Sequence, residues 1–395
     1  MLLKTTPFHA RTSAINQADA WRRWAGYIAA TNYELTHDRE YAAIRNSAAL
    51  FDVTPLYKYH VSGRDAARLL DRIVTRNIQK CDLGQVMYTP WCDAAGKVLD
   101  DGTVAHLRDD HFRLTSAEPN LRWLRMNATG LDVSIEDVSD RIAALSLQGP
   151  TSRAILQSLG AAVDGLKYFR IADTRLGDTA VTVSRTGYTG DLGFEIWLDP
   201  THAEKVWDML VAAGAHYGLL PAGLLALDVA RIEAGLILLD VDYFSARHTL
   251  IELQQSSPFE INLGWTVAKS KTYYVGQRVL EAERTRPPEW LFVGIDVAWE
   301  SFEKLFARVG LPPRLPTVAW RASTPLYRGS RQIGYATSGC WSPVLKKYIA
   351  LAHVRAPHGA VGTAVEMEVT VEHRRRRAAA RIVKLPFFDP PRKKA

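Results

Sequence analysis

Two short stretches of this chain bring together side chains able to do chemistry. In Ser184 to Leu198, SRTGYTGDLGFEIWL, glycines recur at positions 187, 190 and 193. Glycine admits positive φ and close backbone approach, so the segment reads as a tight loop. From Gly193 the pattern becomes an alternation, with Phe194, Ile196 and Leu198 on one side of a strand and Glu195 and Trp197 on the other. Tyr188 and Glu195 are thereby offered together, a ring for stacking and a carboxylate that accepts from N–H donors. An ordinary hairpin with a surface glutamate fits the same pattern, because a GxxGxxG run alone is weak evidence.

The second stretch is Val98 to Leu107, VLDDGTVAHL, with adjacent acids at Asp100 and Asp101. A period of two groups Asp101 with Leu99, Thr103, Ala105 and Leu107, the more apolar face, and Asp100 with Val98, Gly102 and His106. A carboxylate on a core-facing side is costly unless something pairs with it, and acids so placed are either structural anchors or catalytic. Asp101 is therefore the acid singled out, with both readings open.

These residues need elements to hold them. The turn Asp93-Ala94-Ala95-Gly96 joins two strands, around Gln85 to Cys92 and Val98 to Leu107, into a β-hairpin. Upstream, residues 17 to 49 have helix-like spacing at Trp21, Trp24 and Ala25 and again at Tyr41, Ile44 and Ala48. A strand is expected over Leu50 to Val61, then a helix with the stripe Ala66, Leu69, Leu70, Ile73 and Val74. Strands follow at Phe112 to Ser116, Leu131 to Val138 and Ile142 to Leu147, and Gly149-Pro150 opens a helix that ends at Gly160. After the glycine loop, Thr201 is the expected N-cap of one helix. PAGLLALDVARIEAG, from Pro221 to Gly235, supplies another, on which Asp228 and Arg231 are spaced to pair. Beyond about residue 285 the chain turns Val/Ile-rich with little helical periodicity, as in a β-barrel or sandwich, and Pro287-Pro288 marks the boundary.

Composition narrows the class. With 395 residues, 47% hydrophobic and 23% charged, the chain is a globular protein of two or three domains rather than a disordered or fibrous one. The first residues lack a signal-peptide core and no apolar run has the length of a membrane span, so a cytoplasmic protein is expected. Cys81, Cys92 and Cys340 show no CxxC spacing and the histidines no HxxxH pair, so no metal is expected. The net charge of +7 comes partly from His373 to Arg377 and Arg392 to Lys394. It suits an anionic ligand, and without interleaved aromatics it does not point to nucleic acid.

Taken in order, FDVTPLYKYHVSG, MYTPWCDAAGKVLDDGTV, LSLQGP, SRTGYTGDLGFEIWL, PAGLLALDVARIEAG, SPFEINLGW, VGQRVL and SGCWSPVLKKYIALAHV resemble the T-protein (aminomethyltransferase) family of the glycine cleavage system. That family's relatives include folate-dependent demethylases and the folate-binding halves of dimethylglycine and sarcosine dehydrogenases. The likeness covers nearly the whole chain. It implies an α+β fold: a three-lobed, ring-like body of mixed and antiparallel sheets with a C-terminal β-barrel domain. Residues 1–286 would form two interleaved α+β lobes and residues 287–395 the barrel. It also implies tetrahydrofolate as cofactor in a central channel. Asp101 matches the family's active-site aspartate, Tyr188 and Glu195 match the tyrosine and glutamate that hold the pterin, and Tyr88 and Trp265 fall at channel-lining positions.

The departures concern the other reactant. Leu227 stands where the family usually has an arginine, and Leu239-Asp240-Val241-Asp242 replaces a Tyr-Gly-Gln-Asp run, so Leu227, Leu239 and Asp240 mark the region expected to meet the donor. The resulting expectation is a transferase moving a methyl or aminomethyl-derived one-carbon unit from a small donor to tetrahydrofolate. The alternatives are a glycine-cleavage aminomethyltransferase, whose partner is a lipoyl carrier protein, and a non-enzymatic folate-binding protein of the iron–sulfur and tRNA-modification type. The last group carries a cysteine in a run that reads Lys271-Thr272-Tyr273-Tyr274-Val275-Gly276-Gln277-Arg278 here, where no cysteine is present.

Overall fold

The computed structural model describes residues 3–395. Three β-systems form its lobes. The expected hairpin is Val86–Cys92 with Val98–Arg108. Its turn is closed by the Asp93 side chain, which accepts from the Lys97 amide at 2.9 Å, and by Gly96 at φ +73°. His111–Ser116, Tyr57–Ser62 and Ser134–Asp137 extend it to a five-stranded sheet. Helix Ala66–Ile73 covers one face, burying Leu69, Leu70 and Ile73 against Val104, Phe112 and Leu114.

The second sheet has six strands in the order Ile171–Leu176, Thr179–Ser184, Gly193–Leu198, Ala143–Gln148, Ala48–Asp52, Leu219–Pro221. The final pairing is parallel and the others antiparallel, so the sheet is mixed. Helices Ser152–Ser158 and Ala203–Gly214 cover its outer face through Ile155, Leu156, Val206, Trp207 and Leu210. The third system is a closed six-stranded barrel built from Trp290–Val297, Lys347–Arg355, Arg331–Ser342, Thr324–Arg328, Ala364–Val371 and Arg374–Val383. Closure removes its free edges. The run of arginines expected as a solvated face lies on the last strand, where Arg375 and Arg377 approach Glu368 and Glu366 across the ladder. No helix among the described residues is long and apolar enough to cross a membrane.

Helix Leu224–Glu233 sits at the junction of the lobes, packed on helix Asp38–Asn46 and on the barrel strand Arg331–Ser342. Asp242 and Glu233 bind the barrel to this junction. Asp242 accepts from the hydroxyls of Thr337 and Ser338, and Glu233 from Ser342, while Arg231 and Arg45 pair the same carboxylates from the other side. A bulge between Ala336 and Ser338 makes the double contact on Asp242 feasible, because the extra residue turns two consecutive hydroxyls to one side.

Several local expectations are corrected. Trp21–Trp24 is a strand, paired with Tyr27–Ala30 through a two-residue turn at Ala25 and Gly26, both with positive φ, and only Asp38–Asn46 of that region is a long helix. The strand expected over Leu50 to Val61 is two, Ala48–Asp52 and Tyr57–Ser62, interrupted at Thr54-Pro55 because proline has no N–H for a ladder. The helix after the glycine loop starts at Ala203 with His202 as N-cap, and Asp199, not Thr201, supplies the capping oxygen for the preceding 3-10 turn. The barrel region also contains a helix, Trp299–Ala307, with Phe302, Leu305 and Phe306 buried.

Candidate functional site

The adjacent aspartates have different surroundings. Asp100 is 0% exposed and fully engaged: it accepts from the Asp101 amide at 2.8 Å, the Glu118 amide at 3.1 Å and the Asn120 side-chain amide at 2.8 Å. Asp101 is half-buried, and both carboxylate oxygens accept from phenols, Oδ2 from Tyr88 at 2.7 Å and Oδ1 from Tyr243. The expected burial is thus reversed, with Asp100 on the sealed side. The hairpin has a bulge between Trp91 and Cys92, and a bulge shifts the strand phase. Leu99 consequently packs with Trp91 and Val104 rather than on the face of Asp101. Burial pushes the Asp101 carboxyl above its ordinary range, and the Tyr243 and Tyr88 hydrogen bonds oppose that rise. Both phenols are raised by burial and by the Asp101 charge, so they remain donors.

Asp101, Thr103 and Ala105 share one face of the five-stranded sheet, and Arg113, the cross-strand neighbour of Ala105, shares it too. Opposite lies the Gly193–Leu198 strand, whose Glu195 and Trp197 look back across the cleft, for the Arg113 guanidinium carbon sits 3.8 Å from the Trp197 ring centroid, over its face. Glu195 accepts from the Thr186 hydroxyl. Burial raises its pKa, with Thr186, Arg113 and Ser184 opposing. Burial likewise lowers the Arg113 guanidinium to about 10, against the pull of Glu195 and Asp173.

The glycine loop is built around Gln148. A Cβ at Gly187 or Gly193 would fall 2.1 Å or 2.2 Å from the Gln148 side-chain oxygen, so close approach is what demands glycine at these two positions; only Gly190 of the three has positive φ, +72°. The Gln148 amide donates to the Thr186 carbonyl at 3.2 Å and accepts from the Thr189 hydroxyl at 2.8 Å, which fixes the loop. Tyr188 is thereby carried over to the junction, where its hydroxyl donates to the Ile237 carbonyl. Burial raises its pKa, the nearby Arg231 opposes, and the Asp101 charge adds to the rise. Asp191 of the same loop pairs with Arg45 and Arg392.

Tyr88 stacks on Trp265 with ring centroids 6.5 Å apart at 30°, and the Arg76 guanidinium carbon lies over Trp265, 5.4 Å from its ring centroid. Trp265 is 64% exposed, a large apolar surface at the cleft mouth. Asp240 is exposed at φ +62°, its carboxyl raised by partial desolvation and by Glu118 while His248 opposes. Leu239 pairs with Tyr243, the phenol that holds Asp101. Leu227 lines a crevice with Trp21, Trp24, Tyr33 and Asp52 and packs against the same core cluster as Tyr243, Tyr88 and Leu239.

Sequence reasoning missed two residues of this cleft. Tyr243 follows directly on the altered Leu239 to Asp242 segment, but nothing in spacing ties it to Asp101, 142 positions earlier. Arg113 sits in an apolar strand, HFRLTS, and a charge at a strand position whose neighbours Phe112 and Leu114 are buried was its available signal.

Comparison with known proteins agrees with this architecture. The profile of the GCVT N-terminal domain matches residues 7–271, and that of the glycine cleavage T-protein C-terminal barrel domain matches residues 307–389. The aminomethyltransferase of Halothermothrix orenii is 35% identical over 88% of this chain and 90% of its own. That of Bacillus pumilus is 32% identical over 98% and 99%. The trimethylamine-oxide aldolase of Ruegeria pomeroyi is 36% identical over 89% of this chain, which corresponds to 43% of that longer protein. The crystal structure of the glycine cleavage system aminomethyltransferase T from Bartonella henselae superposes with a TM-score of 0.82 at 23% identity, covering 98% of this chain and 99% of that one, and so shares the fold. With both lobes and barrel matched in order, the chain belongs to the glycine cleavage T-protein family, enzymes of tetrahydrofolate-dependent one-carbon transfer.

Proposed function

We propose that this chain moves a one-carbon unit from a small methylated donor to tetrahydrofolate in the cleft between its two sheets. The observation that carries the reading is the Asp101 carboxylate, half-buried and held by two phenol hydroxyls, in the same cleft as a second carboxylate at Glu195 that has a hydroxyl but no ion-pair partner among the described residues. The residues present suit a flat ligand with donor and acceptor edges. Trp265 and Tyr88 offer stacked rings, Glu195 an acceptor, and the buried Nε of Arg113 and Nη2 of Arg231 have no hydrogen-bond partner among the described residues. Tetrahydrofolate, when bound, supplies the amine nitrogens that receive the one-carbon unit. Glu195 accepts from the pterin N–H groups, and Tyr188 packs beside it. Tyr88 and Tyr243 stabilise Asp101 in its charged form, so its role is to stabilise positive charge developing on the one-carbon unit, or to take up the proton released there.

A free donor carrying an N-, O- or S-methyl group, or a secondary amine, is favoured over a lipoyl carrier by the altered Leu239–Asp242 segment. Leu239 and Asp240 replace a Tyr-Gly pair beside Tyr243, and the exposed Asp240 with Glu118 gives this segment the negative character that a cationic amine meets. The likeness to a trimethylamine-oxide aldolase supports the same direction. The glycine-cleavage reaction on an aminomethyl-lipoyl carrier is the second reading, favoured by the full-length likeness to aminomethyltransferases. Buried free thiols at Cys81, Cys92 and Cys340 go with a reducing, cytoplasmic setting.

Anaerobic titration of tetrahydrofolate, followed by calorimetry and by the fluorescence of exposed Trp265, is expected to show saturable binding; a folded protein that gives none removes the folate reading. The donor is then tested by supplying tetrahydrofolate with an aminomethyl-lipoyl carrier or with a panel of methylated amines, aryl methyl ethers and sulfonium compounds, and reading folate products by mass spectrometry. Turnover of the carrier with every free donor inert establishes the second reading instead.

A further inference from the structure

We infer that Arg113 is a ligand-binding residue of the cleft, donating to the acceptor edge of the same ring whose N–H edge Glu195 holds. The inference rests on the folate reading above and adds to it the edge chemistry that the site selects.

Arg113 is 4% exposed, and among the described residues nothing accepts a hydrogen bond from its guanidinium and no carboxylate lies within 4.0 Å of it. The other buried arginines each have partners within the chain, although Nε of Arg185 and Nη2 of Arg231 are left without one among the described residues. Arg45 pairs with Glu233 and Asp191, Arg231 with Asp228 and Asp242, and Arg185 donates to the carbonyls of Leu166 and Lys393. Burying an ion without a partner is strongly unfavourable, because its lost hydration is not repaid. The Trp197 face beneath Arg113 returns only part of that, and a ring under the flat side leaves the N–H groups in the guanidinium plane unused. Those donors are left for an acceptor that comes from outside the chain.

Glu195 supplies the complementary half. It sits two residues before Trp197 on the same face of the same strand, beside Arg113 in the cleft but not in contact as an ion pair. A carboxylate and a guanidinium side by side read a ring that offers N–H donors next to a carbonyl oxygen. The 2-amino-4-oxo edge of a reduced pterin has that pattern: its 2-amino group and N3–H face Glu195 and its O4 faces Arg113. A 2,4-diamino ring places a donor where Arg113 needs an acceptor, and a site built to bond one group rejects the analogue that lacks it.

The test compares tetrahydrofolate with its 4-amino-4-deoxy counterpart by calorimetry on the full chain, in the wild type, Arg113→Met and Arg113→Lys. Methionine keeps an unbranched stem over Trp197 and removes the donors. The wild type is expected to bind the 4-oxo compound at least about tenfold more tightly than the 4-amino one, and Arg113→Met to erase that preference by weakening the 4-oxo compound alone by about 10- to 100-fold. Arg113→Lys, which keeps charge but loses the planar fork, falls between. An Arg113→Met protein that melts earlier yet binds tetrahydrofolate as the wild type does makes Arg113 a structural spacer and leaves the folate reading standing. A wild type that binds neither compound removes both. Should Arg113→Met fail to fold, the wild-type preference decides alone, and equal affinity for the two compounds overturns the inference.

Discussion

The cleft and the junction with the barrel contain the same kinds of buried residue, handled in opposite ways. At the junction the buried carboxylates that face the barrel are closed by cations: Glu233 by Arg45, Asp242 by Arg231, and Asp228 by Arg231 and Arg321, with Tyr41, Ser342, Thr337 and Ser338 filling remaining lone pairs. In the cleft, Asp101 has hydroxyls but no cation, Glu195 has a hydroxyl, and Arg113 has only a ring. A closed network specifies how lobes dock; an open one leaves bonding capacity for a ligand. The burial of a charge therefore says little about its role, whereas the completeness of its partners says a good deal.

The largest effect expected from this contrast is at Asp101. Asp101→Asn keeps the shape and both phenol neighbours but removes the charge, and turnover should fall about 10²- to 10⁴-fold with the fold intact. Asp100→Asn disturbs a sealed, fully bonded acid and should lower the melting temperature more than the rate. Equal rate losses at both positions would erase the distinction between them. At the junction, Glu233→Ala leaves Arg45 without its main partner, and denaturant unfolding should register a loss of about 3–5 kcal/mol. A negligible loss there would mean that the junction is no more closed than the cleft.

Next in size is Tyr243→Phe, which takes one of two donors from Asp101. A hydrogen bond to a charged group contributes about 1.5–3 kcal/mol, so turnover should drop roughly 10- to 100-fold with tetrahydrofolate affinity little changed. The smallest effect is on stability against pH. The folded-state pKa of Asp101 is raised, so between its unfolded and folded values the folded chain carries more protons than the unfolded one, and the contribution of this site to stability falls as pH rises through that window. Asp101→Asn removes the loss, and its melting temperature relative to wild type should climb from pH 4 towards pH 7. A difference that stays flat across that range would mean that Asp101 is as well compensated as the junction acids.

Much of the architecture was legible from the chain. The Asp93 to Gly96 turn, the Ala66–Ile73 helix and the barrel strands follow from local patterns of period and turn chemistry, and the eight ordered segments carried the family and with it the fold. The same local reasoning failed at Trp21–Trp24, where helical spacing of apolar residues lost to a positive-φ turn and a ladder partner at Tyr27–Ala30. It also misjudged the two aspartates, because the one-residue bulge at Leu99 beside them is set by the pairing with Trp91 and Cys92 and not by local periodicity.

The sequence by itself determined which residue types were available: the adjacent acids, the glycines that make room for Gln148, the tyrosine and glutamate of the loop. Periodicity constrains neighbours a few positions apart, and these features lie within that reach. The tertiary structure alone decided which charges were closed and which were left open. Tyr243 reaches Asp101 from 142 positions away, Arg45 meets Glu233 across 188, and Arg113 settles on Trp197 from a different sheet without finding an acceptor. Those distances along the chain carry no periodic signal, and the energy of a buried charge depends on the atoms around it in space.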